Sequence, residues 1–186
     1  MTEFYVHPTA IVEDNVRLNE NTKIWHFAQV RRGAVLGNNV VVGKSSYIGL
    51  DVKIGNDVKI QNLVSIFKGV ELGDRVFIGP HVAFTNDMFP RVAEDWQICK
   101  TLVRADASIG ANSTIICGTV IGEYALIGAG TVVTKDVPKF GLVVGNPGRL
   151  IGYVCYCAHK LSEFPKETGH HSIKCSNCSR VVELDL

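Results

Sequence analysis

With 186 residues and a formal net charge of +1, the chain has room for one domain and an appendage, and it lacks the basic excess of a nucleic-acid-binding protein. The start MTEFYVHPTA has neither the basic head nor the apolar core of a secretory signal, and no apolar run reaches membrane-spanning length, so a cytoplasmic location is expected. In that compartment the six cysteines read as metal ligands or core residues, not disulfides.

From Tyr5 to Met88 the chain divides into fourteen hexads, opening YVHPTA, IVEDNV, RLNENT, KIWHFA and closing FIGPHV, AFTNDM. Six more run from Leu102 to Val137. In all twenty the second residue is Val, Leu, Ile or Phe, the sixth is Val, Ala, Thr, Ser or Met, and glycine fills the third place in nine. A period of six matches neither a helix nor a simple strand. It predicts a strand of about four residues followed by a turn of about two. Three such sides close a triangular coil, so the hexads predict an all-β parallel solenoid of six to seven coils, with the aliphatic second places stacked along its axis. Gly43, Asn56-Asp57 and Gly73-Asp74 suit the corners, because such residues tolerate positive φ or cap a turn locally.

Residues eighteen apart then stack. His26, Lys44, Asn62 and Pro80 are expected along one corner, and Leu50, Lys68 and Asn86 along the next. Two hexads break the turn chemistry: Trp25-His26 and Gln61-Asn62 stand where a Gly-Asn type of corner is usual. The repeat fails over residues 89–101 (FPRVAEDWQICKT), a thirteen-residue loop carrying Arg91, Asp95 and Trp96. A loop thrown out of a repeat adds nothing to the packing and is expected to serve function.

Residues 1–152 thus form the coil with its exit segment PKFGLVVGNPGRLIG, and residues 153–186 a tail. The tail holds Cys155-Tyr156-Cys157 and Cys175-Ser176-Asn177-Cys178. Two thiolate pairs at this separation look like a zinc ribbon, with His159, His170 or His171 open as a replacement ligand because the first pair is tighter than C-x-x-C. About thirty residues hardly bury a core unaided, which favours a structural metal. Cys99 and Cys117 stand apart and read as small core hydrophobes.

The hexads resemble the hexapeptide-repeat acyltransferases. That resemblance implies a left-handed β-helix, an acyl thioester donor and a homotrimer with sites between prisms. The strings KIWHFA, KIQNLVSI, FIGPHVAFTND with Pro90-Arg91, and TIICGTVIGEYALIGAGTVV, spread over residues 7–152, are similar to bacterial N-acetyltransferases of nucleotide-linked 3-amino sugars. The UDP-2-acetamido-3-amino-2,3-dideoxyglucuronate enzymes are the nearest type. Asp87 after Asn86 is also met in acetyltransferases of dTDP-3-amino-6-deoxyhexoses. The resemblance implies acetyl transfer from acetyl-CoA to a sugar amine during surface polysaccharide or lipopolysaccharide synthesis. It places Asn86 at the reacting centre, with His81 and Asp87 as proton acceptors and His26, Gln61, Asn62 and Arg91 on the substrate. Gly110, Gly128, Lys135 and Arg149 fall to coenzyme A. Transfer to the hydroxyl of a sugar or serine is the enzymatic alternative, and a β-helix scaffold without catalysis the other. A γ-class carbonic anhydrase is excluded, because no histidine occurs between His81 and His159.

Overall fold

The computed structural model describes residues 3–162, 165 and 167–186. The first two residues of every hexad form a strand, from Tyr5–Val6 to Val132–Val133. Each strand pairs in parallel with the one three hexads on, as Lys23 with Val41 and Ser65 with Tyr47. The result is a solenoid of left-handed β-helix type with three parallel sheets. The first sheet starts at Tyr5–Val6, the second at Ile11–Val12 and the third at Arg17–Leu18. Among the described residues no helix is long and apolar enough to cross a membrane.

The strands are shorter than the expected four residues, because the ladder stops where the chain bends. The bend has a fixed address. Thirteen non-glycine residues at the fifth place of their hexads, among them Asn39, Asp57, Leu63 and His81, have φ near +60°, and Gly33, Gly69, Gly118 and Gly130 at the same place have φ between 71° and 98°. The third-place glycines serve another purpose. A Cβ on Gly43 would lie 2.6 Å from the Gln61 carbonyl carbon, and one on Gly79 would lie 2.7 Å from the Ala111 nitrogen. There the next coil's backbone occupies the space of a side chain.

Inside, the second places form aliphatic stacks such as Ile24, Val42, Ile60, Ile78, Ile109 and Ile127, all fully buried. Each contributes roughly 1.5–3 kcal/mol of transfer free energy, so the core is a sum of similar layers. The three edges of the prism can be named by the sheets that they join. On the third edge, from the third sheet to the first, side chains bind the edge vertically. Asn38 N–H donates to Asn56 Oδ1 (2.9 Å), Asn56 N–H to Asp74 Oδ1 (2.7 Å), and Asn39 Nδ2 to Asp57 Oδ1 (2.8 Å).

After the loop the register resumes without slippage. Glu71 faces Leu102, an offset of one coil plus the thirteen-residue insertion. The tail covers the last coil. Strand Gly141–Val144 turns back into Arg149–Tyr153, and His170–Lys174 pairs antiparallel with Val181–Asp185. Phe140, Tyr153, Leu161, Ile173, Val182 and Leu184 form a second core there, against which Tyr124 and Leu150 of the coil end pack. Tyr124 stacks on Phe140 at 5.1 Å, with Tyr156 edge-on to both.

Candidate functional site

The coil carries the candidate residues to two different edges. The first edge, between the first and second sheets, presents His26, Lys44, Asn62 and His81 on successive coils. Its continuity is visible in the backbone: Ser45 N–H donates to the His26 carbonyl, Leu63 N–H to that of Lys44 and His81 N–H to that of Asn62, at 2.9, 2.9 and 3.0 Å. The second edge, between the second and third sheets, presents Arg32, Leu50, Lys68 and Asn86, followed by Cys117 and Lys135. His81 and Asn86 therefore belong to the same coil but to different edges, with the strand Ala83–Phe84 between them.

Asn86 sits at the neck of the loop. Its carbonyl accepts the Cys99 N–H (3.0 Å), and Asp87 bridges antiparallel to Ile98, so the excursion leaves and returns at one point. Asp87 Oδ1 accepts the Phe89 N–H at 3.0 Å and so starts the loop as well as standing beside Asn86. The neighbouring backbone is fixed from below, where Cys117 N–H donates to Thr85 Oγ1 at 2.9 Å. The Asn86 side chain, half-buried, has no hydrogen-bond partner among the described residues. Asn62 differs, since its Oδ1 accepts the Lys44 N–H at 2.9 Å and helps to hold its corner. An asparagine that does not serve its own turn, at the root of an inserted loop, is available to a ligand.

The other candidates fall as follows. Arg91 lies exposed in the loop, where its Nη1 donates to the Pro90 carbonyl at 3.0 Å. Phe89, Val92 and Trp96 beside it are exposed as well. Gln61 lies under Gly43, and its carbonyl accepts Ser46 Oγ–H at 2.8 Å. His26 stacks on His7 at 3.6 Å, and desolvation together with the His26 imidazole holds His7 below its ordinary pKa. Cys117 is buried, which raises its thiol pKa, whereas Cys99 is only partly covered.

At the coil's exit a recess of about 240 Å³ is lined by Thr134, Lys135, Asp136, Pro138, Arg149 and Leu150. It gathers both cations that the sequence associates with coenzyme A. Gly110 and Gly128 are explained by packing instead: a Cβ on Gly110 would meet the Ala129 nitrogen at 2.5 Å, and one on Gly128 would meet Val144 Cγ1 at 2.8 Å. A recess of about 380 Å³ on the third face, around Lys53, Glu71, Asp74, Arg104 and Glu123, contains none of the candidates.

In the tail the Sγ atoms of Cys155, Cys157, Cys175 and Cys178 all lie within 4.8 Å of one another. Cys155 and Cys178 are 3.5 Å apart, and Cys157 and Cys175 are 3.8 Å apart. Thiolates at about 2.3 Å from a tetrahedral zinc stand about 3.8 Å from each other, so the donor set fits the ion. The backbone supports the charge. The His159 N–H brings Cys157 down to about 6, and Asn177 N–H reaches Cys175 Sγ at 3.4 Å. Burial pushes Cys155 up to about 12, a cost that a bound dication reverses.

No histidine joins the cluster among the described residues. His159 supplies backbone, His171 Nε2 meets the Glu167 carbonyl at 3.0 Å, and His170 lies between Asp185 (2.8 Å) and Glu183 (3.0 Å). The bond to Asp185 raises the His170 pKa above its ordinary 6.5. That contribution to hairpin stability is complete below pH 6.5 and fades as pH climbs through the raised value. An NMR titration of the ring protons is expected to give a midpoint above 6.5 that Asp185→Asn moves downward.

The profile for bacterial transferase hexapeptide (six repeats) matches residues 51–86 and 100–135, and that for the hexapeptide repeat of succinyl-transferase matches residues 33–68. The dTDP-3-amino-3,6-dideoxy-alpha-D-galactopyranose 3-N-acetyltransferase of Aneurinibacillus thermoaerophilus is 47% identical over 158 residues, spanning 84% of this chain and 82% of that protein. Among solved structures, a hexapeptide-repeat acetyltransferase of Vibrio cholerae, complexed with acetyl coenzyme A, superposes with a TM-score of 0.58 at 28% identity, over 65% of this chain and 70% of that one. PerB of Caulobacter crescentus, in complex with CoA and GDP-perosamine, shares the fold at a TM-score of 0.52 and 22% identity, over 79% of this chain and 56% of that one. With its repeats, its interrupting loop and this extent of identity, the chain belongs to the hexapeptide-repeat acetyltransferases, alongside the thermoaerophilus sugar N-acetyltransferase.

Proposed function

We propose that the protein transfers the acetyl group of acetyl-CoA to the 3-amine of a nucleotide-linked amino sugar, with a dTDP-3-amino-3,6-dideoxyhexose as the first acceptor to test. The relative at 47% identity acts on such a sugar by its name, and that favours dTDP over UDP. The UDP-linked 3-amino-glucuronate is the second acceptor, on the strength of the local strings around Asn86. Arg91 supplies a cation beside the sugar from the loop. Lys135 and Arg149 face the phosphates of coenzyme A in the exit recess.

The observation that carries this reading is the unbonded Asn86 side chain at the loop's root. A carboxamide offers a donor and an acceptor but takes no proton. Asn86 orients the amine against the thioester carbonyl. The amine nitrogen bonds to that carbon, the C–S bond breaks, and the thiolate of coenzyme A leaves. The amine's surplus proton passes to water, to Asp87 or to the departing thiolate. His81 and Asn86 lie on different edges, so a site using both is completed by a second copy of the chain. The exposed Phe89, Val92 and Trp96 give that copy apolar surface to cover. A homotrimer meets both needs. The cysteine cluster holds one structural zinc.

The test is an assay of free coenzyme A thiol, with the product weighed by mass spectrometry. Acceptors are the dTDP-linked 3-amino sugar, the UDP-linked 3-amino-glucuronate, a hydroxyl-bearing sugar and serine. Acetylation of either amine is expected, with a solution mass three times that of the chain. Turnover with hydroxyl acceptors alone would make the protein an O-acetyltransferase, and no turnover or coenzyme binding at all would leave a scaffold.

A further inference from the structure

The first edge carries rings at its start, a free cation in its middle and amide and imidazole groups further on. Tyr5 and Trp25 lie 5.5 Å apart between ring centroids, and the Trp25 ring is nearly parallel to that of His26, which stacks on His7. Tyr5, Trp25 and Phe27 are 42%, 38% and 61% exposed, so these rings add little to the core. Phe27 also has φ at +57°, in a fifth place filled mostly by Asn, Asp, Ser or Gly, though Leu63, Arg75, His81 and Tyr124 share it. A bulky side chain in the left-handed region is unfavourable. Exposed as it is, Phe27 adds little to the core that holds the coil together, and its ring meets that of His26 at 6.4 Å.

Charge along this edge is equally selective. From the first coil to the fifth its corner residues are His7-Pro8-Thr9, Trp25-His26-Phe27, Gly43-Lys44-Ser45, Gln61-Asn62-Leu63 and Gly79-Pro80-His81. None is a carboxylate. The second edge has Glu13, Asp14, Asp51 and Asp87, and the third has Glu20, Asp57 and Asp74. On the second edge Arg31 is engaged by Glu13 and Lys68 by Asp51 at 3.1 Å, so the cations left there stand beside carboxylates such as Glu13 and Asp136. Lys44 is exposed and has no ion-pair partner among the described residues. An edge without acids and with one unpaired ammonium suits an anion.

We propose that the first edge is a cradle for the nucleoside diphosphate, with the Trp25 ring cluster taking the base, Lys44 the pyrophosphate, and the Asn62–His81 stretch the sugar. This rests on the nucleotide-sugar reading above and fixes the direction in which the substrate lies. Coils repeat at about 4.8 Å, so the rings and His81 are separated by about 14 Å, comparable to an extended nucleoside diphosphate sugar from base to sugar ring. The order of chemistry along the edge matches the order along such a ligand. The polar end lies in the coil that also carries Asn86, where the sugar amine has to be.

The test uses free dTDP and free thymidine as probes, by calorimetry on the full chain, beside steady-state kinetics. Stacking a base on an aromatic ring is worth roughly a tenfold to hundredfold change in affinity on truncation to alanine. Trp25→Ala is expected to weaken dTDP by that factor and to raise KM for the nucleotide sugar in step, leaving kcat and the KM for acetyl-CoA unchanged. Lys44→Ala is expected to weaken dTDP while leaving thymidine unaffected, which separates phosphate from base. Wild-type dTDP affinity in Trp25→Ala would overturn the proposal. So would a fall in solution mass for that variant, because the rings would then be a contact between copies. Should Trp25→Ala not fold, Trp25→Leu keeps apolar bulk without a ring and decides by the same measure. A wild type that binds dTDP yet acetylates no sugar would sink the proposed function and leave the cradle standing. Acetylation with unchanged KM in Trp25→Ala would do the reverse.

Discussion

Asn86→Ala is expected to lower kcat by about two to four powers of ten at saturating acetyl-CoA, the scale of several kcal/mol that correct placement of two reactants is worth. The coil should not notice the change. The carbonyl that binds the Cys99 N–H remains, and the side chain removed holds no corner among the described residues. A matching measurement of thermal midpoint therefore separates catalysis from folding. The comparison that decides the mechanism is His81→Asn. His81 lies on the first edge and Asn86 on the second, so a site that uses both draws them from different copies of the chain. If it is no base, its loss costs less than the 10²–10⁴-fold typical of removing one. A His81→Asn enzyme without turnover, beside an Asn86→Ala enzyme of near-normal rate, would replace positioning by histidine catalysis. A rise of rate with pH does not discriminate, because the sugar amine must itself lose a proton before it attacks.

Removal of the proposed zinc from the tail is expected to be the second large effect. About one zinc per chain is expected by elemental analysis, and Cys175→Ser is expected to lose it. Two of the four thiols, Cys155 and Cys175, are buried, and both belong to the core formed by Phe140, Tyr153, Ile173 and Val182. Without the ion these sulfurs face each other within 4.8 Å, unlinked and poorly solvated. Zinc contributes about 10–16 kcal/mol of apparent binding free energy in small zinc-finger peptides, and here the folding of the tail would draw on it. Chelation should therefore expose Phe140 and Tyr124 and lower the thermal midpoint, with acid acting in the same direction as it protonates the thiolates. Turnover should fall only as far as the last coil loosens. Chelation that stopped turnover in a folded, fully assembled protein would give the metal a part in catalysis.

The coil was legible because each residue's fate depends mainly on its place in the hexad. Second places such as Ile60 and Phe84 are buried, and the phase on either side of residues 89–101 is enough to define the loop. The grouping of the four cysteines was legible from spacing alone, but not that histidine stays out of the cluster among the described residues. That exclusion depends on how His170 and His171 are engaged within the hairpin and its approach. The turn chemistry was legible at Asn56-Asp57 and Asp74, where φ is positive or a side chain accepts a corner N–H, but not at Gly43 and Gly73. Glycine at the third place marks contact between coils, whereas the left-handed residue stands two places later and includes Leu63, Arg75 and Phe27. The first edge was only partly visible. His26 and Asn62 stood out, but the rings that gather around Trp25 come from two coils, and stacking at that range leaves no mark in a single hexad.

The loop's insertion point has a consequence for how such enzymes diverge. Strand pairing above and below residues 89–101 is that of an unbroken coil, with Val70–Leu72 against Thr101–Val103. The excursion is closed at its base by Asp87 and Ile98, so its length and composition are hidden from the layers that hold the prism together. Closing a longer flexible loop costs little more than closing a short one, about 0.6 kcal/mol for each doubling. Selection can therefore rewrite this segment while the coil is left intact. Exchanging the loop for another is expected to alter the KM for the nucleotide sugar while the thermal midpoint of the coil stays in place.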